Sequence, residues 1–128
     1  MSSDRPSTEA FRRALATLEA AFSAPPRNDL ERDGAIQRFE YTFELAWKAI
    51  RKHLLWLGRA DVSGSPKPVL RDGHEEGLID SVDEWFAYVE ARNTTVHVYD
   101  PPRAEEVFAA ASRFVAAACE LLRRLDAS

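Results

Sequence analysis

Residues 36–57 read IQRFEYTFELAWKAIRKHLLWL and predict the longest helix of the chain. Large apolar side chains recur there at alternating three- and four-residue steps, which places them on one face of an α-helix. This stripe comprises Ile36, Phe39, Phe43, Trp47, Ile50, Leu54 and Leu57. Asp29 is the expected N-cap and Gly58 the expected C′ residue. Such a long stripe predicts a central helix against which the other helices pack.

Two further helices are expected on either side of the central one. The first begins after Ser7 as N-cap and ends before Pro25–Pro26. Its apolar stripe comprises Phe11, Leu15, Leu18 and Phe22. A short helix begins at Ser65–Pro66, an N-cap followed by a first-turn proline, and ends near Gly77. Gly73 is expected to weaken this short helix.

The C-terminal part of the chain predicts two more helices that meet at a proline. The fourth begins near Asp80–Ser81, and the β-branched residues 94–96 predict that it ends between Asn93 and Tyr99. Its expected buried face comprises Val82, Trp85, Phe86, Val89 and Asn93. The fifth begins with Asp100 as N-cap and Pro101 at the first helical position. Its expected stripe comprises Phe108, Ala111, Val115, Ala118, Leu122 and Leu125.

These helices predict an all-α fold, an antiparallel bundle of four main helices plus one short helix. We expect residues 1–128 to form a single domain, with residues 1–6 flexible. A chain of 128 residues with 45% hydrophobic residues has enough apolar side chains for a core without disulfides or metals.

The composition favours a cytoplasmic protein that does not contact a membrane. Cys119 is the only cysteine, so no disulfide within the chain is possible and a reducing compartment is expected. The first residues lack the apolar segment of a secretory signal, and no apolar run is long enough to span a bilayer. A net charge of -4 and a pI of about 5.4 argue against nonspecific coating of nucleic acid, although they allow a local basic groove.

Residues 92–99 read RNTTVHVY and form the candidate functional site. Arg92 provides a permanent cation, Asn93 an amide, His97 a base that titrates near neutral pH, and Tyr99 a phenol. This set suits RNA cleavage without a metal. His97 exchanges a proton with a 2′-hydroxyl or leaving oxygen, and Arg92 stabilises the charge on the phosphate. On a continuous helix Arg92 and His97 would lie about 140° apart. A distorted helix end or a symmetric dimer would bring them together.

A purely structural explanation of the same residues stays open. Arg92 then pairs with Glu90 or another acid, and His97 merely ends a helix. Glu40 and Glu44 either hold Arg92 in place or are solvated, with Glu44 paired to Lys48. Other candidates are weaker. His53 and His74 are expected at the surface or at helix ends, and Cys119 is expected to be a small buried residue. The spacing of these residues supports no zinc site, and we expect no cofactor.

Three stretches resemble the nucleotidyltransferase substrate-binding proteins, a branch of the HEPN superfamily. Residues 38–48, RFEYTFELAWK, are similar to the signature of the second helix in that family. Ser65–Pro66 followed by Arg71 and residues 77–79 match the next segment. Residues 92–100, RNTTVHVYD, are similar to the segment in which Arg-Asn is followed, after three residues, by His-x-Tyr-Asp.

The resemblance implies a function that periodicity does not. HEPN domains are helical bundles that usually dimerise, and many are metal-independent endoribonucleases that act as toxins. Arg92 and His97 match the catalytic pair of these enzymes, Asn93 the polar residue after the arginine, and Tyr99 a tyrosine that a minimal nucleotidyltransferase partner adenylylates to silence the toxin. The expected substrate is RNA, with tRNA a candidate. In the alternative interpretation the chain is a non-catalytic subunit that presents substrate to the nucleotidyltransferase.

A remaining apolar surface points to a dimer or partner interface. Tyr41, Leu55 and Trp56 lie off the main stripe of the central helix. Apolar side chains grouped on an exposed surface commonly mark an interface. Burial of the long helix on two sides is the other explanation.

Overall fold

Five α-helices and one short 3-10 helix make up the secondary structure of the computed structural model, which describes residues 4–128. The helices are α1 (Glu9–Ala21), α2 (Asp29–Trp56), α3 (Pro66–Glu75), α4 (Val82–Thr94) and α5 (Pro101–Ala127), and the 3-10 helix Thr95–His97 follows α4. No strand occurs in these described residues, so the predicted all-α bundle of four main helices and one short helix is confirmed.

Helix α2 is the centre of the bundle and contacts every other α-helix. It runs antiparallel to α1, since Arg38 of α2 donates to the main-chain oxygen of Thr17. It runs parallel to α5, because Arg32 near the start of α2 pairs with Glu105 near the start of α5, at 3.1 Å. The 28-residue length of α2 gives it enough apolar surface to serve all its neighbours.

The apolar stripe predicted for α2 is buried except at its last member. Residues Ile36 to Leu54 of the stripe are at most 6% exposed, whereas Leu57 is 44% exposed. Leu57 is the C-cap residue, and Gly58 follows it with a φ of +87°, as expected for a C′ glycine. The helix ends at Trp56, so Leu57, the last member of the predicted stripe, is left partly exposed.

Two predicted N-caps are wrong by one residue. Asn28, and not Asp29, caps α2, and its side chain accepts a hydrogen bond from the main-chain nitrogen of Glu31 at 2.9 Å. Thr8, and not Ser7, precedes α1. Asparagine and aspartate are equally good N-caps, so adjacent candidates such as Asn28 and Asp29 cannot be ranked by residue type.

The predicted buried faces of α4 and α5 are only partly right. In α4 the buried residues are Trp85, Tyr88 and Val89, and Asn93 is exposed. In α5 Ala111, Ala118 and Leu125 are buried as expected, but Phe108, Val115 and Leu122 are half-buried. The buried residues of α5 also include Ala104, Val107, Ala110, Phe114 and Leu121. Alanine-rich helices offer more than one apolar face, so packing against α2 and α4 selects the face.

The ends of the described chain lie close together. Arg5 donates a hydrogen bond to the main-chain oxygen of Ser128, and Arg12 pairs with Asp126. The expectation of flexibility for residues 1–6 falls partly on residues 1–3, which lie outside the described part of the chain. Within residues 4–128 no helix has the length and apolar character that a membrane span requires.

Candidate functional site

The candidate site lies where α4 stops and the chain turns into α5. Helix α4 ends at Thr94, within the predicted range, and the chain tightens into the 3-10 helix Thr95–His97. The main-chain nitrogen of Asp100 then donates to the oxygen of His97 at 3.0 Å. β-branched residues lower helix propensity, and Pro101 keeps Asp100 out of the α region. We call residues 95–100 the α4–α5 connection.

Arg92, in the last turn of α4, is held by two carboxylates of α2. Its Nη1 lies 3.2 Å from Oε2 of Glu40, and its Nε lies 3.2 Å from Oε1 of Glu44. The contact of Nε lacks hydrogen-bond geometry, and this buried nitrogen has no hydrogen-bond partner in the structure. Arg92 therefore pairs across the bundle. Glu90, the alternative partner considered from the sequence, pairs with Lys67 at 2.9 Å.

Glu44 contacts both Arg92 and Lys48, the two partners considered for it from the sequence. Besides Arg92, its carboxylate lies 3.9 Å from Nζ of Lys48 and accepts a hydrogen bond from Nε1 of Trp47 at 3.2 Å. The indole fixes the carboxylate from the core side, whereas Lys48 approaches from the exposed face of α2. Glu44 is therefore a fixed anchor for the arginine.

His97 is half-buried in the 3-10 helix and lies next to Tyr99. The two ring centroids are 6.1 Å apart in an edge-to-face arrangement. The Nδ1 atom of His97 is buried and has no hydrogen-bond partner in the structure. Buried polar atoms are nearly always paired, so an unpaired ring nitrogen in this position needs an explanation.

Tyr99 and Asn93 are open to solvent. The side chain of Tyr99 is 81% exposed, which is unusual for so large an amphipathic residue. No hydrogen bond or ion pair joins Arg92 to His97 within residues 4–128. The structure thus brings together His97 and Tyr99 directly, and fixes Arg92 nearby through α2 and Thr95.

Thr95 is a member of the site that the sequence did not single out. Its hydroxyl donates to Oε2 of Glu40 at 2.9 Å, and the side chain is buried. Threonine inside a β-branched run carries no signal for such a role, because the contact joins residues 55 positions apart. Glu40 was considered from the sequence, but only as a partner for Arg92.

The other candidates from the sequence do not form a second site. His53 lies in the last turn of α2, one of its two expected places, but it is 3% exposed and so is not at the surface; it packs against Trp56. His74 is exposed, as expected, and its Nδ1 lies 3.1 Å from the oxygen of Ile79. Cys119 is half-buried, and burial raises the pKa of its thiol, which disfavours the reactive thiolate. Within residues 4–128 no group of three or more histidine, cysteine or acidic residues has the arrangement of a metal site.

A cavity in the structure lies away from these residues. It measures about 470 Å³ and opens between the end of α1 and the start of α2, with Ala20, Pro26 and Arg38 among its lining residues. None of the predicted site residues lines it. The candidate site therefore does not lie in this cavity.

Comparison with known proteins identifies the family. The family model described as nucleotidyltransferase substrate binding protein like matches residues 7–127. The chain belongs to this family. Its membership agrees with the resemblance to the HEPN branch that residues 38–48 and 92–100 carry.

Relatives from two bacteria are similar to this family member in sequence or in fold. A probable ribonuclease HepT of Haemophilus influenzae is 35% identical over 95 residues, which make up 72% of this chain, and the chain spans 65% of that relative's length. A crystal structure from Thermus thermophilus has a TM-score of 0.80 at 36% identity, covering 90% of this chain and 98% of that chain. A second structure, from Haemophilus influenzae, has a TM-score of 0.82 at 29% identity, covering 94% and 99%. It is described as the fold of a substrate-binding domain of a nucleotidyltransferase.

Proposed function

We propose that this family member is a metal-independent endoribonuclease, the HEPN toxin subunit of a two-component system with a minimal nucleotidyltransferase. One observation carries the proposal, the arrangement of side chains at the break between α4 and α5. Tyr99 is exposed there beside His97, whose buried Nδ1 has no hydrogen-bond partner. His97 follows five residues after Arg92, which two carboxylates hold in place. Unpaired buried polar atoms are few in folded proteins, and use by a ligand or a reaction is one of their explanations. In this proposal residues 1–128 act as one HEPN-like domain in the cytoplasm.

The proposed reaction is an attack within the RNA chain. The 2′-oxygen forms a bond to the adjacent phosphorus, the bond to the 5′-oxygen breaks, and a cyclic phosphate and a free 5′-hydroxyl result. His97 takes the proton of the 2′-hydroxyl or gives one to the leaving oxygen. Arg92, whose guanidinium is held by Glu40 and Glu44, stabilises the charge that grows on the phosphate. Asn93, exposed one residue after the arginine, orients the RNA.

A probable ribonuclease among the relatives supports this activity. The relative from Haemophilus influenzae is 35% identical over a segment that makes up 72% of this chain. Two solved relatives share the fold of this chain at TM-scores of 0.80 and 0.82. The RNA substrate is proposed here as a class, with tRNA as the first candidate to test.

Tyr99 is the proposed point of control. The partner nucleotidyltransferase would transfer an adenylyl group from ATP, so that the phenolic oxygen bonds to the α-phosphorus and pyrophosphate leaves. The 81% exposure of Tyr99 makes its hydroxyl accessible to a second enzyme. Its ring lies 6.1 Å from that of His97, so a nucleotide attached there would crowd the proposed catalytic histidine. The name of the family supports a nucleotidyltransferase as the partner.

A homodimer is also part of the proposal. Leu55 and Tyr41 are 46% and 39% exposed on α2, and Trp56 is half-buried. Exposed apolar side chains on one helix favour an interface with a second subunit. Two copies would also supply two His97 side chains to one RNA.

A non-catalytic substrate-binding subunit is the second candidate function. It is favoured by the two carboxylates around Arg92, which compensate the positive charge that an RNA phosphate would seek. The solved relative that is described as a substrate-binding domain of a nucleotidyltransferase agrees with this alternative. It predicts a stable complex with the partner and no cleavage by the isolated chain.

Incubation with RNA distinguishes the two candidates. Purified wild type, His97→Ala and the control His74→Ala are mixed with total RNA and with tRNA in excess chelator, after mass spectrometry has shown that Tyr99 is unmodified. We expect cleavage by wild type and by His74→Ala, and none by His97→Ala. Cleavage that survives His97→Ala would refute the proposed role of the histidine. No cleavage by any of the three would favour the substrate-binding subunit.

A further inference from the structure

A single carboxylate oxygen links Arg92 to the turn that carries His97. Oε2 of Glu40 lies 3.2 Å from Nη1 of Arg92 and 2.9 Å from Oγ1 of Thr95. We propose that Thr95 is a positioning residue, whose hydroxyl, anchored by Glu40, fixes the 3-10 helix and so sets His97 relative to Arg92. The inference rests on the ribonuclease function proposed above and deepens it.

The hydroxyl proton of Thr95 has two acceptors within reach. Oγ1 lies 2.7 Å from the main-chain oxygen of Arg92 and 2.9 Å from Glu40. The main-chain nitrogen of Thr95 already donates to the same oxygen of Arg92. A hydroxyl has one proton, and a hydrogen bond to a charged carboxylate is about twice as strong as one to a neutral acceptor. The proton is therefore directed to Glu40, across the bundle.

Thr95 is the anchor of the α4–α5 connection. Among residues 95–100, all of which the structure describes, only Thr95 is buried. Val96 is 67% exposed, and His97 and Val98 are half-buried. Besides Thr95, only Val98 of this segment packs against the core, so one directional hydrogen bond has a large share in fixing its conformation. His97 follows two residues after the anchored residue.

The same cluster sets the local charge. Glu40 and Glu44 carry two negative charges, and Arg92 and Lys48 carry two positive charges. The four charges therefore compensate one another. The two carboxylates orient Arg92, but they also reduce its attraction for phosphate. Removal of the Glu40 charge should accordingly have two opposite effects. It should strengthen RNA binding by leaving an excess of positive charge, and weaken the chemical step by replacing the charged acceptor of Thr95 with a weaker, neutral one.

The first test removes the hydroxyl while keeping the shape of the side chain. Thr95→Val is compared with Thr95→Ser, which restores a hydroxyl, and with Thr94→Val. Thr94 is the matched control because its hydroxyl donates only to the main-chain oxygen of Glu90, at 2.9 Å. We expect Thr95→Val to lower kcat for RNA cleavage by about a hundredfold with little change in KM, as misplacement of a catalytic group does. Thr95→Ser should recover most of the rate, and Thr94→Val should retain it.

The second test separates charge from position. Glu40→Gln is compared with Glu90→Gln, which removes an acid that pairs with Lys67 outside the cluster. We expect Glu40→Gln to lower both kcat and KM, and Glu90→Gln to change neither by more than about twofold, as is typical of an exposed ion pair. A residue with only a structural role would not produce this split. An unchanged kcat in Glu40→Gln or in folded Thr95→Val would overturn the proposal.

A measurement that needs no activity separates this inference from the ribonuclease itself. The ring nitrogens of His97 are followed by ¹⁵N NMR in wild type, Thr95→Val and Glu40→Gln. We expect the His97 signals to shift or broaden in both variants, and not in Thr94→Val. If wild type cleaves no RNA but these shifts occur, the ribonuclease function fails and the positioning role stands. Unchanged His97 signals would overturn the positioning role, and Glu40→Gln decides the matter if Thr95→Val does not fold.

Discussion

The aromatic core around Phe114 and the α4–α5 connection differ in the hydrogen bonding of their polar atoms. In the core, Phe114 packs against four aromatic rings at centroid distances of 5.1–5.8 Å, those of Phe39, Phe43, Trp85 and Tyr88. The one hydroxyl in that set, on Tyr88, donates to Glu84 at 2.7 Å. Burial raises the pKa of Tyr88, so it stays neutral. In the connection, by contrast, Nδ1 of His97 is buried without a partner and Tyr99 is exposed.

This contrast indicates that stability and the proposed function lie in different parts of the molecule. The aromatic core fills its volume with closely packed rings, which is where folding free energy arises, and the unpaired hydroxyl of buried Thr42 is its exception in polar pairing. The connection keeps reactive side chains with few contacts, which is typical of functional loops on a rigid scaffold. Four changes test that separation, and they are taken from the largest expected effect on stability to the smallest.

Phe114→Ala should be the most damaging of the four. The ring is fully buried among four others, so its removal leaves a cavity at the point where α2, α4 and α5 meet. We expect a loss of about 3–5 kcal/mol in the free energy of unfolding, measured by urea denaturation. Phe108→Ala is the control, since Phe108 is half-buried and has one aromatic partner, Phe22, at 5.0 Å. An equal loss for both variants would mean that the ring cluster does not dominate the core.

A pair of glycine substitutions tests how tightly α3 packs on α2. A methyl group on Gly73 would lie 2.8 Å from Cγ2 of Ile50, whereas one on Gly34 would meet nothing within 4 Å. We expect Gly73→Ala to destabilise the fold by about 1–3 kcal/mol through overpacking. Gly34→Ala should stabilise it by about 1 kcal/mol through helix propensity. Thermal unfolding of both variants measures this difference, and a stabilising Gly73→Ala would contradict the close approach of the two helices.

His53 should make the core sensitive to acid. Burial lowers the pKa of its imidazole below 6.5, and the charge of Arg5 lowers it further. The unfolded chain therefore binds a proton at a higher pH than the folded one, and stability falls as pH drops below 6.5. We expect the loss of stability between pH 6.5 and 5 to be smaller in His53→Asn than in wild type, as measured by urea denaturation.

The pH range of this test, from 6.5 to 5, lies above the range in which the carboxylates lose their contribution to stability. Carboxylates whose pKa is lowered in the fold, such as those of Glu120 and Asp126, lose their contribution below their ordinary values of 4.5 and 3.8. His74→Asn, at an exposed position, is the control and should retain the wild-type dependence. An unchanged slope in His53→Asn would mean that the buried histidine is protonated equally in both states.

Substitutions in the connection should leave stability almost unchanged. His97→Ala and Tyr99→Phe remove groups that have few contacts, so we expect shifts of less than about 0.5 kcal/mol. Differential scanning calorimetry of both variants against wild type measures this. A loss comparable to that of Phe114→Ala would show that the connection is structural and would weaken the proposed separation of roles.

Local signals explain what could be predicted about the fold. The break after α4 was correctly placed because β-branched residues and a pre-proline position act within a few residues. Helix α4 begins directly after the predicted pair Asp80–Ser81, and Asp100 was correctly predicted as the residue that precedes α5. The wrong face of α5, by contrast, follows from its composition: with alanine on several sides, periodicity alone does not choose between Phe108 and Phe114.

The residues of the candidate site show the same division. Arg92, Asn93, His97 and Tyr99 lie within eight consecutive positions, so their type and spacing were visible in the chain itself. Whether they form a working site is still a prediction. The anchoring of Arg92 by Glu40 and Glu44 was one of two open alternatives. Thr95 had no signal at all, because its hydrogen bond depends on the separation of two helices and not on spacing within one.

The amino-acid sequence by itself determined the number of helices, most of their ends and the concentration of reactive side chains before Pro101. Helix caps, breaks and stripes depend on interactions over about four residues, so they can be predicted from neighbouring residues in the sequence. Only the tertiary structure decided that His53 is buried, that Phe114 rather than Phe108 enters the core, and that Glu40 meets both Arg92 and Thr95. Those contacts depend on how each helix is rotated and spaced against α2, and the packing of the whole bundle sets that rotation and spacing at once.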